Sequence, residues 1–115
     1  MTVVAMYEDG SIFTTVDGRW SAFPRDKKID SLGIYDINEE YHVLAGYDCW
    51  FFSDLGIASK NVGRNVWEGR IIAGFNKETG EGKVILAYVD GRVVEEECFL
   101  QDYLSLFSAD AFIGL

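Results

Sequence analysis

Residues 83–99 read Lys83-Val84-Ile85-Leu86-Ala87-Tyr88-Val89-Asp90-Gly91-Arg92-Val93-Val94-Glu95-Glu96-Glu97-Cys98-Phe99, and this stretch decides the fold. Val84, Leu86 and Tyr88 fall on alternate positions, the run stops at Asp90-Gly91, and a second extended run starts at Arg92. Successive side chains of a strand point to opposite faces, so this spacing is that of a half-buried strand. Asp-Gly between two such runs predicts a hairpin, here a two-residue type I′ turn, because Gly takes positive φ freely and Asp more readily than most residues.

The same dipeptide recurs at Asp9-Gly10 and Asp17-Gly18, again between runs rich in Val, Ile, Phe, Tyr or Thr. Thr2 to Tyr7 and Ser11 to Val16 read as one hairpin, and the second Asp-Gly leads into Arg19 to Phe23. Pro24, the only proline, opens a polar loop through Lys28, since proline cannot donate to a central ladder. Extended segments are predicted at Ser31 to Ile37, Tyr41 to Leu44 and Asp48 to Phe52, with a turn at Asn38-Glu39-Glu40 and helix as the alternative for part of this region. Asn65 to Asn76, Lys83 to Val89 and Arg92 to Phe99 form a three-stranded meander. From Leu100 the apolar period lengthens to that of a helix, with Leu100, Leu104 and Phe107 as one stripe and Tyr103 beside it. The apolar end, Ala111 to Leu115, must pack on the sheet or meet a partner.

The expected class is therefore α+β: mainly antiparallel β-sheet built from hairpins and a C-terminal meander, with partial closure into a small barrel as a variant, and a short C-terminal helix. With 115 residues the chain fits one domain, 1–115. Within it, an N-terminal half (1–54) and a C-terminal half (64–115) are joined by a Gly-containing loop at 55–63.

The formal charge of -9 is unevenly distributed. Residues 29–59 carry six acids and no Lys or Arg, and the residues after Arg92 carry five acids and again none. Nucleic-acid binding needs clustered cations to release phosphate counterions, so such partners are disfavoured, and a protein with a basic surface suits the chain better. No apolar stretch reaches the roughly 18 to 20 residues of a membrane span, so no membrane is expected as a partner, and the start lacks a signal-peptide pattern. A cytoplasmic location and reduced Cys49 and Cys98 are the corresponding expectations.

Catalytic and metal chemistry find little support in the motifs. His42 is the only histidine, and Cys49 beside Trp50, Phe51 and Phe52 reads as an inert thiol rather than the partner of a Cys-His pair. No metal site is expected, because the three Cys and His residues lack paired ligand spacing. Asp36-Ile37-Asn38-Glu39-Glu40 starts like a calcium loop but puts Tyr41 where that loop needs glycine and Tyr47 where it needs glutamate. No cofactor motif is present either: Gly80-Glu81-Gly82 lacks the rest of a phosphate-binding signature.

A binding protein is the leading expectation, and an enzyme is not expected, a small enzyme of unknown reaction standing only as the last alternative because no catalytic constellation carries it. The residues assigned to a basic protein partner are Glu39, Glu40, Asp48, Trp50, Glu95, Glu96 and Glu97, with Trp50 as an aromatic anchor beside acids. Of the three consecutive glutamates, two are read as solvent-facing and one as a rim residue. The alternative is a small-molecule or nucleotide-signal binder using the basic patch Arg19, Arg25, Lys27 and Lys28 with Trp20. An apolar C-terminus and edge strands also allow a homodimer.

Asp9-Gly10-Ser11, Trp20 with Phe23-Pro24, Ile29 and Leu32, and Gly46-Tyr47-Asp48 followed by Phe51-Phe52 together give the N-terminal half a further character. It resembles small accessory proteins encoded by bacteriophages and related mobile elements. That resemblance implies a source and size class, and by analogy a protein that binds and inhibits host machinery, as anti-CRISPR proteins do in evading host defence.

Overall fold

The computed structural model describes residues 2–15, 24, 26–54, 69–106 and 112–113. Nine strands and one helix follow in chain order among them: β1 (Thr2–Tyr7), β2 (Ile12–Thr15), β3 (Ile29–Tyr35), β4 (Tyr41–Ala45), β5 (Cys49–Asp54), β6 (Gly69–Phe75), β7 (Glu81–Tyr88), β8 (Val93–Phe99), α1 (Leu100–Leu106) and β9 (Phe112–Ile113). The strands form two open antiparallel sheets, ordered β2-β1-β3-β4 and β8-β7-β6-β5-β9. Neither closes into a barrel. No helix among the described residues is long and apolar enough to cross a membrane.

Strand alternation sorts the core into two layers. Val3, Ala5, Tyr7, Ile29, Leu32, Ile34 and Leu44 project from the first sheet onto Trp50, Phe52, Ile72, Ile85 and Ala87 of the second. The odd partners in the second sheet, Cys49, Phe51, Ile71, Ala73 and Phe75, with Val84 and Leu86, face the other way and pack with Tyr103 of α1. The second sheet is thus buried on both faces, which explains how Trp50, Phe51 and Phe52 can all be apolar in consecutive positions. At about 25 cal/mol per Å² of apolar area removed from water, such aromatic side chains each contribute on the order of 2 kcal/mol or more.

Two details differ from expectation. In α1 Tyr103 is the buried residue and Leu100 of the predicted stripe packs against the same cluster, whereas Leu104 is 44% exposed, so the face toward the sheet runs through Leu100 and Tyr103 rather than Leu104. A helix of seven residues is too short for its own periodicity to select that face, and contacts of Tyr103 with Phe51 and Phe75, at ring-centroid distances of 5.0 and 5.3 Å, select it instead. The Asp9-Gly10 and Asp90-Gly91 turns are also not type I′. Gly10 and Gly91 have φ of 88° and 96°, but Asp9 and Asp90 do not have positive φ. Tyr7 N–H donates to Ser11 and Gly10 N–H to Tyr7, and Tyr88 N–H donates to Arg92 and Gly91 N–H to Tyr88. Each is a three-residue loop: a type I turn with Asp at its third position, followed by a left-handed Gly. Asp17-Gly18, Arg19 to Phe23 and the 55–63 loop lie outside the described residues.

Register places the turns at two ends of the sandwich. Thr2 pairs with Tyr35 and Gly69 with Tyr88, so the β3–β4 and β7–β8 turns share one end. They touch: a Cβ on Gly91 would lie 3.6 Å from Asn38 Nδ2 and 3.9 Å from Ile37 Cγ2. The β1–β2 turn, the β4–β5 link and the β6–β7 loop occupy the other end. The chain's apolar end is partly accounted for, since Phe112 and Ile113 pair with Phe51 and Trp50 as a short edge strand.

Candidate functional site

Two charged regions stand out, one at each end of the sandwich. The first is the β3–β4 turn. Glu39 N–H donates to the Asp36 carbonyl and Asp36 N–H to the Glu40 carbonyl, the same frame as the Asp-Gly turns. The left-handed position is filled by Glu39, with φ of 64°. Glutamate pays there a conformational cost that glycine avoids.

Asp36 holds this turn from inside. Its side chain is 2% exposed, and Oδ1 accepts the N–H groups of Asn38 at 2.8 Å and Glu40 at 3.0 Å. Oδ2 lies 2.9 Å from His42 Nε2. The His42 hydrogen bond, with the two main-chain donors behind it, holds the Asp36 carboxyl below the usual carboxylate range against the opposing effect of burial. The exposed Glu40 completes a cluster in which one donor atom each from Asp36, Glu40 and His42 lie within 4.8 Å of one another. A tally of Cys and His alone misses this group; the signal that finds it is the spacing of 36, 40 and 42 across a tight hairpin, which folds the two carboxylates back onto the imidazole.

The second region is the edge strand β8 and the cleft at its end. Glu95, Glu96 and Glu97 are all exposed. Register puts Glu95 and Glu97 opposite Ile85 and Lys83 on one face, and Glu96 opposite Val84 on the other. The expectation of two solvent-facing residues and one at a rim understates their exposure, because β8 has no neighbouring strand on its outer side among the described residues. A cleft of 980 Å³ adjoins it, lined by Tyr47, Glu81, Lys83, Glu97, Phe99 and Asp102 among others. Lys83 Nζ is 3.6 Å from Glu95 Oε1, so the cation of this region is already committed to one acid, and Phe99 is an exposed apolar residue.

The seven residues assigned to a protein partner are not gathered into one surface. Glu39 and Glu40 sit at one end of β4, and Asp48 follows its other end, a separation of roughly 16 Å for five strand residues. Asp48 Oδ1 accepts the Lys77 N–H at 2.9 Å and so ties the β4–β5 link to the β6–β7 loop. Trp50 is a correction: it is 1% exposed in the core between the sheets, packed edge-on against Tyr47, and offers no surface to a partner.

For the basic patch, Arg19, Trp20 and Arg25 lie outside the described residues. Lys27 Nζ is 3.1 Å from Asp9 Oδ2 and 3.2 Å from Ser11 Oγ, while Lys28 is exposed. Hydrogen bonds from Ser11, with Lys27 behind them, hold the Asp9 carboxyl down at about 2. The Asp-Gly acids Asp9 and Asp90 are thus occupied with their own turns, Asp90 accepting the Arg92 N–H at 3.0 Å and Nε at 2.9 Å.

The two cysteines are free and three strand spacings apart, about 14 Å, too far for a disulfide. Burial raises both thiols above their ordinary range, and Asp102 and Glu96 push Cys98 further the same way, which leaves neither as a ready thiolate. His42 belongs to the first sheet and Cys49 to the face of the second sheet that packs with α1, so the two do not meet. Comparison with known protein families, with curated proteins and with solved structures returns no match.

Proposed function

We propose that the chain is a protein-binding module that engages a basic partner through the β8 edge and the adjoining cleft. The observation that carries this reading is the charge balance there: Glu81, Glu95, Glu96, Glu97 and Asp102 stand against Lys83 alone among the residues of that edge and the described lining of the cleft. Acids in such density raise the association rate with a cationic surface and select against acidic ones. Exposed Phe99, which lines the same cleft, supplies an apolar contact beside these acids. An edge strand also offers unpaired main-chain groups, and its three glutamates discourage indiscriminate strand pairing while leaving a Lys- or Arg-bearing segment acceptable.

The resemblance of the N-terminal half to phage-encoded accessory proteins makes a host protein the partner of choice and inhibition, of a defence complex in the anti-CRISPR manner, the consequence of binding. The test is capture from a bacterial host extract by the immobilised full chain, in parallel with E95K/E96K/E97K and with E39K/E40K. The reading expects a specific partner that the β8 variant loses and the turn variant keeps. It also expects that partner to be released between about 0.1 M and 1 M salt, as the screening length falls from about 10 Å to 3 Å. A partner retained by the β8 variant, or indifferent to salt, would overturn it.

A further inference from the structure

We propose that Asp36, Glu40 and His42 form a binding site for a first-row divalent metal ion, with zinc as the probe. The proposal is independent of the β8 edge, which lies on the other sheet.

The donor set is chemically mixed: one imidazole nitrogen and two carboxylate oxygens, a combination suited to zinc and its neighbours rather than to calcium or magnesium. The geometry is near what one ion requires. Ligands bound at about 2.0 to 2.2 Å lie about 3 to 3.5 Å from one another, and His42 Nε2 to Asp36 Oδ2 is 2.9 Å. Glu40 is exposed, so its carboxylate can swing inward to close the remaining distance.

Asp36 is prepared for the role by its surroundings. Both main-chain hydrogen bonds fall on Oδ1 and orient the carboxylate, leaving Oδ2 directed at the imidazole. The carboxylate is buried, and among the described residues no Lys or Arg forms an ion pair with Asp36 or Glu40. Arg92, on the turn packed beside this one, is paired with Asp90. A buried carboxylate is ordinarily matched by a cation or a metal, and with Glu39 and Glu40 alongside, the turn carries negative charge that a divalent ion would offset. The three protein ligands leave coordination positions open to water on the exposed side.

His42 is the only histidine in the chain, which makes its ring a specific reporter. The full chain is titrated with zinc chloride at pH 7 by calorimetry and by nitrogen NMR of the imidazole. One equivalent should bind with displacement of the Nε2 resonance, and E40Q and H42Q should each weaken binding about tenfold or more. E39G, which removes an acid but no ligand, should weaken binding far less than either. E40Q leaves both main-chain bonds to Asp36 in place, so it reports even where H42Q loosens the turn. Absence of saturable binding, an unmoved Nε2 resonance, or full affinity in E40Q and H42Q alike would overturn the site.

Discussion

The β3–β4 and β7–β8 turns lie side by side and share a backbone frame, yet they place their chemistry differently. Both close with a 2.9 Å bond between the flanking residues, Asp36 to Glu40 and Tyr88 to Arg92. In the β7–β8 turn, Gly91 takes the left-handed position and the acid, Asp90, is on the surface, paired with Arg92. In the β3–β4 turn, a glutamate takes that position and the acid, Asp36, is buried and reaches a histidine. In the first arrangement Gly91 suits the backbone and Asp90 only adds an exposed bond to the Arg92 N–H. The second keeps the same backbone at a conformational cost, and its side chains converge.

The comparison breaks most visibly at Asp36. Replacing it with alanine strips two main-chain N–H groups and the imidazole of a partner whose carboxylate is buried, and orphaned part-buried groups are expensive. D36A should lower the thermal midpoint by roughly 10 °C or more, against a few degrees at most for D90A, whose groups turn to water. Equal losses in the two variants, followed by circular dichroism, would remove the distinction between an interior and an exterior acid.

Acid should sharpen the same contrast. The folded Asp36 carboxyl is depressed, as are Asp90 and Asp9, the last to about 2. A group with a depressed folded pKa contributes stability that is present above the unfolded value, near 3.9, and is lost as pH falls through the folded value. Urea midpoints should therefore hold above about pH 5 and fall steadily between about pH 4 and 2. D36N should flatten that decline more than D90N, since the latter's partners are shared with solvent. A decline that D36N leaves unchanged would place the acid sensitivity elsewhere.

A smaller effect comes from the left-handed residue itself. E39G should stabilise the protein by about 0.5 to 1 kcal/mol, and G91A should cost about 1 kcal/mol, because a side chain with φ near these values is strained. No crowding complicates the second change, since the nearest atom to a Cβ there is at 3.6 Å. Chemical denaturation of the two single variants and the double variant would check both the opposite signs and whether the neighbouring turns act independently.

Much of this scaffold is legible in the chain. Alternation at Val84, Leu86 and Tyr88, and Asp-Gly between extended runs, suffice for antiparallel hairpins. The turn type is not, because Asp-Gly serves a type I′ pair as well as the third and fourth positions of a bulged type I loop, and only the flanking hydrogen bonds separate them. Nor does alternation say what covers each face: Trp50 reads equally well as an anchor or as core until the first sheet is seen to lie on it. The Asp36–Glu40–His42 group is hidden for another reason. Acids are abundant in this chain, and the ones that matter are singled out by a hairpin whose left-handed residue is glutamate rather than the glycine a reader looks for.

The smallest effect belongs to the surface of the β7–β8 turn. Arg92 pairs with Asp90 and stacks on Tyr88 at 4.3 Å, but its ion pair is more than half exposed. Solvent screening and side-chain entropy leave such a pair worth little, and an exposed cation–π contact adds only a few tenths to about 1 kcal/mol. R92A should consequently move the thermal midpoint by no more than a few degrees, and the change should shrink further in about 1 M salt. The Arg92 main-chain N–H, which alanine retains, still donates to Asp90, so the turn should keep its form. A loss as large as that of D36A would mean that the outer turn, too, depends on its side chains, and the contrast between a backbone-determined turn and one organised around a buried acid would collapse.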